Sequence, residues 1–198
     1  MLQTQFKKGL EVGTDEAGRG CLAGPVVSAA VILPENFKEP LIRDSKKLTE
    51  KKRVILEKII KEKALAYSIS ICSPKEIDQI NILNASIKAM HLSISKLKIK
   101  PTHILVDGNR FHKYKGIPHK CVIKGDDKFM NIAAASILAK TFRDNFMKMI
   151  SKEFPVYRWD KNKGYPTKEH RDLIKKNGPC VHHRKSFKMI GNKSNLDL

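Results

Sequence analysis

The sequence predicts an α/β fold: a mixed central sheet flanked by helices, with a small helical extension at the C-terminal end. Three patterns carry that expectation. Strand-like stretches open the chain, short strands then alternate with helical segments, and no internal repeat or interdomain linker interrupts them. Residues 1–154 form the main unit, and residues 155–198 are expected to pack on it as part of one functional unit.

Taken in order, Glu11–Asp15 reads as a strand, and Pro25–Leu33 as a second, with Val26, Val27, Ala29, Val31 and Leu33 as its apolar positions. A polar segment follows, closing on Asp44-Ser45-Lys46-Lys47-Leu48. Thr49 caps a helix running to about Lys63. Ala64–Cys72 alternates cleanly as a third strand. Ser73-Pro74-Lys75-Glu76 is a capping box that starts a short helix. Leu83, Ile87, Met90, Ile94 and Leu97 then fall at helical spacing. His103–Val106 and His119–Ile123 are short strands, delivering Asp107 and Asp126 to the loops after them. From Phe129 a long helix is expected, with Ile132, Ala135, Ala139, Phe142, Phe146 and Met149 on its buried face. A loop with Gly164-Tyr165-Pro166 leads to a last short helix capped by Thr167. This order favours an antiparallel opening meander with the later strands parallel.

Composition narrows the function. The 198 residues hold 39 Lys and Arg against 20 Asp and Glu, a net charge of +19. The excess is uneven: 18 basic against 12 acidic side chains in residues 1–107, and 21 against 8 in residues 108–198. A polyanionic partner is indicated, bound through phosphate contacts. No apolar run approaches the ~20 residues of a membrane span, and Met1–Lys8 lacks the apolar core of a secretory signal. Cys21, Cys72, Cys121 and Cys180 have no paired spacing, which argues against zinc and disulfides and for a reducing cytoplasm. His182 and His183 lack the partners of a metal site.

In so basic a chain, the acids at strand ends stand out. Asp15-Glu16 runs into a loop with glycines at 18, 20 and 24 around Arg19. Adjacent acids repel, and a hard divalent cation relieves the repulsion. An acidic strand end entering a tight turn would look the same from this stretch alone. Asp107 and Asp126 extend the set. If strands 1 and 4 are neighbours, Asp15 and Asp107 converge outside the carboxyl ends of the strands. Strand alternation puts Asp15 and Glu16 on opposite faces, so sharing one site requires the strand to end at Asp15. Four carboxylates without histidine or cysteine suit Mg²⁺ or Mn²⁺. Two such ions ~4 Å apart would activate a water and stabilise a leaving 3′-oxygen. With a helix starting near 129, Asp144 lies ~22 Å along it, too far to share a metal pair with Asp126 or Asp127. It is expected in a structural pair near the helix end.

These motifs together resemble those of the bacterial ribonuclease HII family. The match takes in Asp15-Glu16-Ala17-Gly18-Arg19-Gly20 with Gly24-Pro25, Asp44-Ser45-Lys46-Lys47-Leu48, Val106-Asp107-Gly108 and Lys124-Gly125-Asp126. It continues through Ala133-Ala134-Ala135-Ser136-Ile137, Ala139-Lys140 with Arg143-Asp144, Lys163-Gly164-Tyr165 with Thr167 and His170, and His183-Arg184 with Ser186-Phe187. The resemblance implies a ribonuclease H-like fold. It implies endonucleolytic cleavage of the RNA strand of RNA–DNA hybrids, and nicking 5′ of single ribonucleotides in duplex DNA, with 5′-phosphate and 3′-OH ends. Asp15, Glu16, Asp107 and Asp126 become the catalytic, metal-binding acids, with Asp126 selected over Asp127 by its place in the Lys-Gly-Asp motif. The metal would be Mn²⁺ or Mg²⁺, two ions in the active complex, and the protein a monomer. Gly18, Arg19 and Gly20 would read the 2′-OH, with Tyr165 stacking at the ribonucleotide–DNA junction and Lys47, Lys163 and Arg184 on phosphates. The competing reading is a non-catalytic basic nucleic-acid-binding protein of the same fold. Such a protein has no use for acids that weaken phosphate binding.

Overall fold

The computed structural model describes residues 2–189 except 43, 44, 46 and 47. Five strands form one sheet in the order β3-β2-β1-β4-β5. They are β1 (Glu11–Ala17), β2 (Val26–Ile32), β3 (Ala66–Cys72), β4 (His103–Asp107) and β5 (His119–Val122). β1, β2 and β3 make the antiparallel meander, whereas β4 runs parallel to both β1 and β5. The helices are α1 (Glu50–Lys63), α2 (Pro74–Ser95), α3 (Met130–Glu153), α4 (Trp159–Asn162) and α5 (Lys168–Asn177). Each strand expected from the pattern is present, and β1 and β4 are neighbours, which meets the condition for Asp15 and Asp107 to converge.

Period-2 alternation sorts the sheet into two cores. Val27, Ala29 and Val31 of β2 face α1 and α3, with Leu56, Ile60, Ala134 and Leu138. Ala30 and Ile32 face the other way, with Val12, Ile104 and Val106, onto Met90 and Ile94 of α2. β2 is buried throughout, which is why it reads as a nearly unbroken apolar run. α3 lies against β1 at backbone distance: a Cβ on Gly13 would fall 2.2 Å from the Asn131 carbonyl carbon. The Asn131 amide ties the strand ends to the helix, accepting from Leu33 N–H (3.0 Å) and donating to Glu11 O (3.2 Å).

Caps close the helices as the sequence indicates. Thr49 Oγ1 accepts from Lys52 N–H, Ser73 and Glu76 complete a capping box, and Thr167 Oγ1 accepts from His170 N–H. α2 contains both expected helices, joined through Asn81 at φ 64°, whose side chain re-caps the second by accepting from Asn84 N–H. α3 departs from the expected face. Met130–Ala139 is buried on every side, and the buried face beyond it runs through Arg143, Asp144, Met147 and Ile150, leaving Phe142 and Met149 exposed. Residues after 154 share a core with that half of α3 and with Leu22 and Ala23, centred on Trp159 and Tyr157.

Candidate active site

The β1–β4 ladder ends at Thr14 opposite Val106, so Asp15 and Asp107 lie side by side one residue later. Sharing the strand face of Gly13, Asp15 points towards α3 and hydrogen-bonds Ser136. The strand does not stop at Asp15, as sharing a site was expected to require; it runs to Ala17. Glu16 still joins the site because beyond Thr14 that edge of β1 has no registered partner on β4, while pairing with β2 continues. Asp15, Glu16 and Asp107 therefore line one cleft of about 360 Å³, with Gly18, Arg19 and Tyr165 in its wall.

Electrostatically the floor is under tension. Burial drives Asp15 well above the ordinary carboxylate pKa, and the charges of Glu16 and Asp107 push it further. Glu16 is raised by burial and by Asp107, against the pull of Arg19, whose Nη1 lies 3.3 Å from Oε1. Asp15 Oδ1 accepts from Glu16 N–H at 2.7 Å, and Asp107 Oδ1 from Gly125 N–H at 2.6 Å. Among the described residues Glu16 Oε2 is buried without a hydrogen-bond partner. An orphaned carboxylate oxygen beside two more acids fits a hard divalent cation by donor chemistry. Among the described residues no three acids, histidines or cysteines are already gathered at ion-holding distance. Asp15 and Asp107 meanwhile satisfy one oxygen each on main-chain N–H groups.

The remaining candidates divide. Asp126 is buried on the short turn 125–127 directly after the Gly125 that bonds Asp107. Arg19 projects from the glycine loop with its side chain half exposed. Tyr165 is 37% exposed, its hydroxyl against the Cys21 thiol. At Gly18 (φ +95°) a Cβ would lie 2.1 Å from Arg143 Nε, so the fold itself requires glycine there. At Gly20 a Cβ would meet nothing within 4 Å. Arg184 departs from the expected phosphate-contacting surface, whereas Lys163 stays partly exposed. Lys163 folds its ammonium back onto Asp160 O in its own turn. Arg184 is fully buried, its Nε donating to Gly24 O (3.0 Å) and Nη1 to Arg19 O (2.9 Å), and desolvation takes its pKa down to about 10. Lys47 lies outside the described residues. Asp144 forms the expected structural pair, with Arg53 at 2.9 Å and Lys140 at 2.5 Å, but in mid-helix.

Sequence reasoning missed three cleft residues. Ser45 and Ser136 hydrogen-bond each other at 2.9 Å, and Lys140 reaches the cleft 5.7 Å from the Tyr165 ring centroid. All three sit inside motifs already noted, so the signal was there without a role attached. A larger groove of about 560 Å³ runs along α2 by Ile87, His91 and Tyr114, but no carboxylate lines it.

Comparison with known proteins agrees with the geometry. The family model described as Ribonuclease HII matches residues 12–190. A ribonuclease HII of Christiangramia forsetii is 60% identical over 94% of both chains, and that of Phocaeicola vulgatus is 54% identical over 96% of this chain and 94% of its own. The crystal structure of the ribonuclease H2 from Pyrococcus horikoshii OT3 superposes with a TM-score of 0.76 at 26% identity, covering 91% of this chain and 95% of that one.

Proposed function

Because the chain belongs to the ribonuclease HII family, we propose that it nicks duplex DNA on the 5′ side of an embedded ribonucleotide and cuts the RNA strand of RNA–DNA hybrids, with Asp15, Glu16, Asp107 and Asp126 as the metal-binding acids. Membership makes it a metal-dependent nuclease acting on RNA–DNA hybrids. The finer assignment rests above all on Asp15, Glu16 and Asp107 sharing one cleft at neighbouring strand ends in a chain of charge +19.

A bound Mg²⁺ or Mn²⁺ supplies the Lewis acidity that turns water into a nucleophile and neutralises a leaving 3′-oxygen. The residues of the chain supply the rest. Asp15, Glu16 and Asp107 hold the charge that draws the cation in, and their clustering leaves Glu16 Oε2 available. Gly20, with open space where a side chain would stand, lets a sugar–phosphate approach the loop backbone, and the 2′-OH is the feature that separates RNA from DNA there. The Tyr165 ring offers a stacking face, and Arg19 and Lys140 put positive charge where phosphates would lie. Among the described residues no helix is long and apolar enough to cross a membrane.

The test is a duplex carrying one ribonucleotide, incubated with Mg²⁺ or Mn²⁺. The reading expects a single nick immediately 5′ of the ribonucleotide and none in the all-DNA control. Binding without cutting, on this duplex and on hybrids alike, would instead favour the binding-protein alternative.

A further inference from the structure

Two arginines hold the wall of the cleft together from below. Arg143, midway along α3, donates through Nε to Pro25 O (3.1 Å), through Nη2 to Ala23 O (3.0 Å) and through Nη1 to Lys163 O (2.9 Å). Arg184 donates to Gly24 O and Arg19 O on the other side of the same loop. Arg143 also fills the space under Gly18, and its guanidinium lies 5.7 Å from the Tyr165 ring centroid. One planar side chain therefore touches the glycine loop at three points and the Tyr165 turn at two. Among the described residues, direct main-chain pairing of those segments adds only Leu22 N–H to Gly164 O, at 2.8 Å.

The Tyr165 turn has a second tether, and its hydrogen bonds fix the tautomers. Trp159 Nε1–H donates to His170 Nε2 (3.0 Å), so His170 carries its proton on Nδ1 and donates it to Tyr165 O (2.9 Å). Cys180 N–H donates to His183 Nδ1 (3.0 Å), leaving His183 Nε2–H to face His170 Nε2 at 3.4 Å. This chain anchors the Tyr165 carbonyl to the C-terminal core. Arg143, together with the Leu22–Gly164 bond, sets that turn against the glycine loop.

We infer that Arg143 is a positioning residue, buried away from the nucleic acid, which fixes the spacing between the glycine loop and Tyr165 and so governs how well a lone ribonucleotide is recognised. The inference rests on the proposed function. A lone ribonucleotide offers one 2′-OH in one register, so both walls must be in place together. A long hybrid offers many registers and tolerates a looser wall. Lysine keeps the charge at 143 but cannot reach three carbonyls with a fixed fork.

The experiment is a double-mutant cycle of Arg143→Lys and Tyr165→Ala, with kcat/KM measured on a single-ribonucleotide duplex and on a long hybrid. R143K should lower single-ribonucleotide cleavage by about thirty-fold or more, since misplacement near 1 Å reaches a hundred-fold. On the hybrid the loss should be only a few-fold. In the Y165A background R143K should add little further loss, because the group it positions is gone. Equal losses on both substrates, or full additivity with Y165A, would overturn the inference. Should R143K fail to fold, Arg143→Gln, which keeps two N–H donors on a shorter arm and so cannot span all three carbonyls, enters the same cycle and must show the same substrate split and non-additivity. Wild-type protein that cuts neither substrate would instead refute the proposed function.

Discussion

On the floor of the cleft, Asp15 and Glu16 are buried beside Asp107, and both are pushed towards their neutral forms. In its wall, Arg143 and Arg184 are buried more deeply still, yet their donors go to five main-chain carbonyls. Both sets are ionisable groups taken out of water, which is unfavourable unless compensated. The wall carries most of its compensation inside the protein, although Arg184 Nη2 is buried without a hydrogen-bond partner among the described residues. The floor has less: Asp15 and Asp107 each satisfy one oxygen on a main-chain N–H and Glu16 Oε1 pairs with Arg19, but these acids still crowd one another, and Glu16 Oε2 is buried with no partner among the described residues. The contrast separates two kinds of functional residue, those completed by the fold and those awaiting a ligand. It also says which substitutions should harm stability and which should improve it.

The largest effect expected is on the floor. Asp107→Asn or Asp15→Asn should lower cleavage by about a thousand-fold while binding of the hybrid persists, because charge at the reacting phosphate is lost. Asp15→Asn should at the same time raise the melting temperature at neutral pH by a few degrees, about 2–4 °C for each kcal/mol relieved. The sign follows from linkage. Burial raises the folded-state pKa of Asp15 and Glu16 above the ordinary 3.8 and 4.5, so the native state holds extra protons. Stability then falls as pH rises from those ordinary values through the raised ones. The decline should flatten in Asp15→Asn, as followed by thermal unfolding at stepped pH. An unchanged or lower melting temperature in that variant would show that the floor is not under tension.

On the wall the next largest effect is expected. Tyr165→Ala should reduce single-ribonucleotide cleavage roughly ten- to hundred-fold, in keeping with the ~1–3 kcal/mol of a stacked base. With 37% of its surface exposed, its removal should leave the circular dichroism spectrum unchanged. Smallest is the response of the intact protein to metal: millimolar Mg²⁺ or Mn²⁺ should raise its melting temperature by a few degrees through preferential binding to the native state. Asp15→Asn should abolish that rise. A rise of equal size in the variant would place the cation elsewhere.

The floor was legible in the sequence up to one condition: both Asp15 and Asp107 stand at strand ends, and they converge once β1 and β4 are neighbours, which the sheet order supplies. The reach of Glu16 was not, since it depends on where the β1–β4 ladder stops, and that is a property of the pairing register. The wall was the harder part. Apolar periodicity assumes that a helix buries its apolar face, and the C-terminal half of α3 buries Arg143 and Asp144 while Phe142 and Met149 stay outside. Arg184 likewise looked like a surface cation, because nothing in a linear reading shows carbonyls converging from a loop 160 residues earlier. In the sequence Gly18, Gly20 and Gly24 look alike, as parts of one ligand-approaching loop. They are of two kinds: Gly18 makes room for Arg143, and Gly20 leaves space unfilled.

If the acid floor drives hydrolysis beside a 2′-OH held by the wall, the ends of the cleaved strand will show it. A duplex with one ribonucleotide, incubated with Mn²⁺, should yield an upstream 3′-OH and a 5′-phosphate on the ribonucleotide, and chelation of the metal should stop the reaction. A 2′,3′-cyclic phosphate, or cleavage that continues in chelator, would mean that the 2′-OH itself attacks, and would contradict the account.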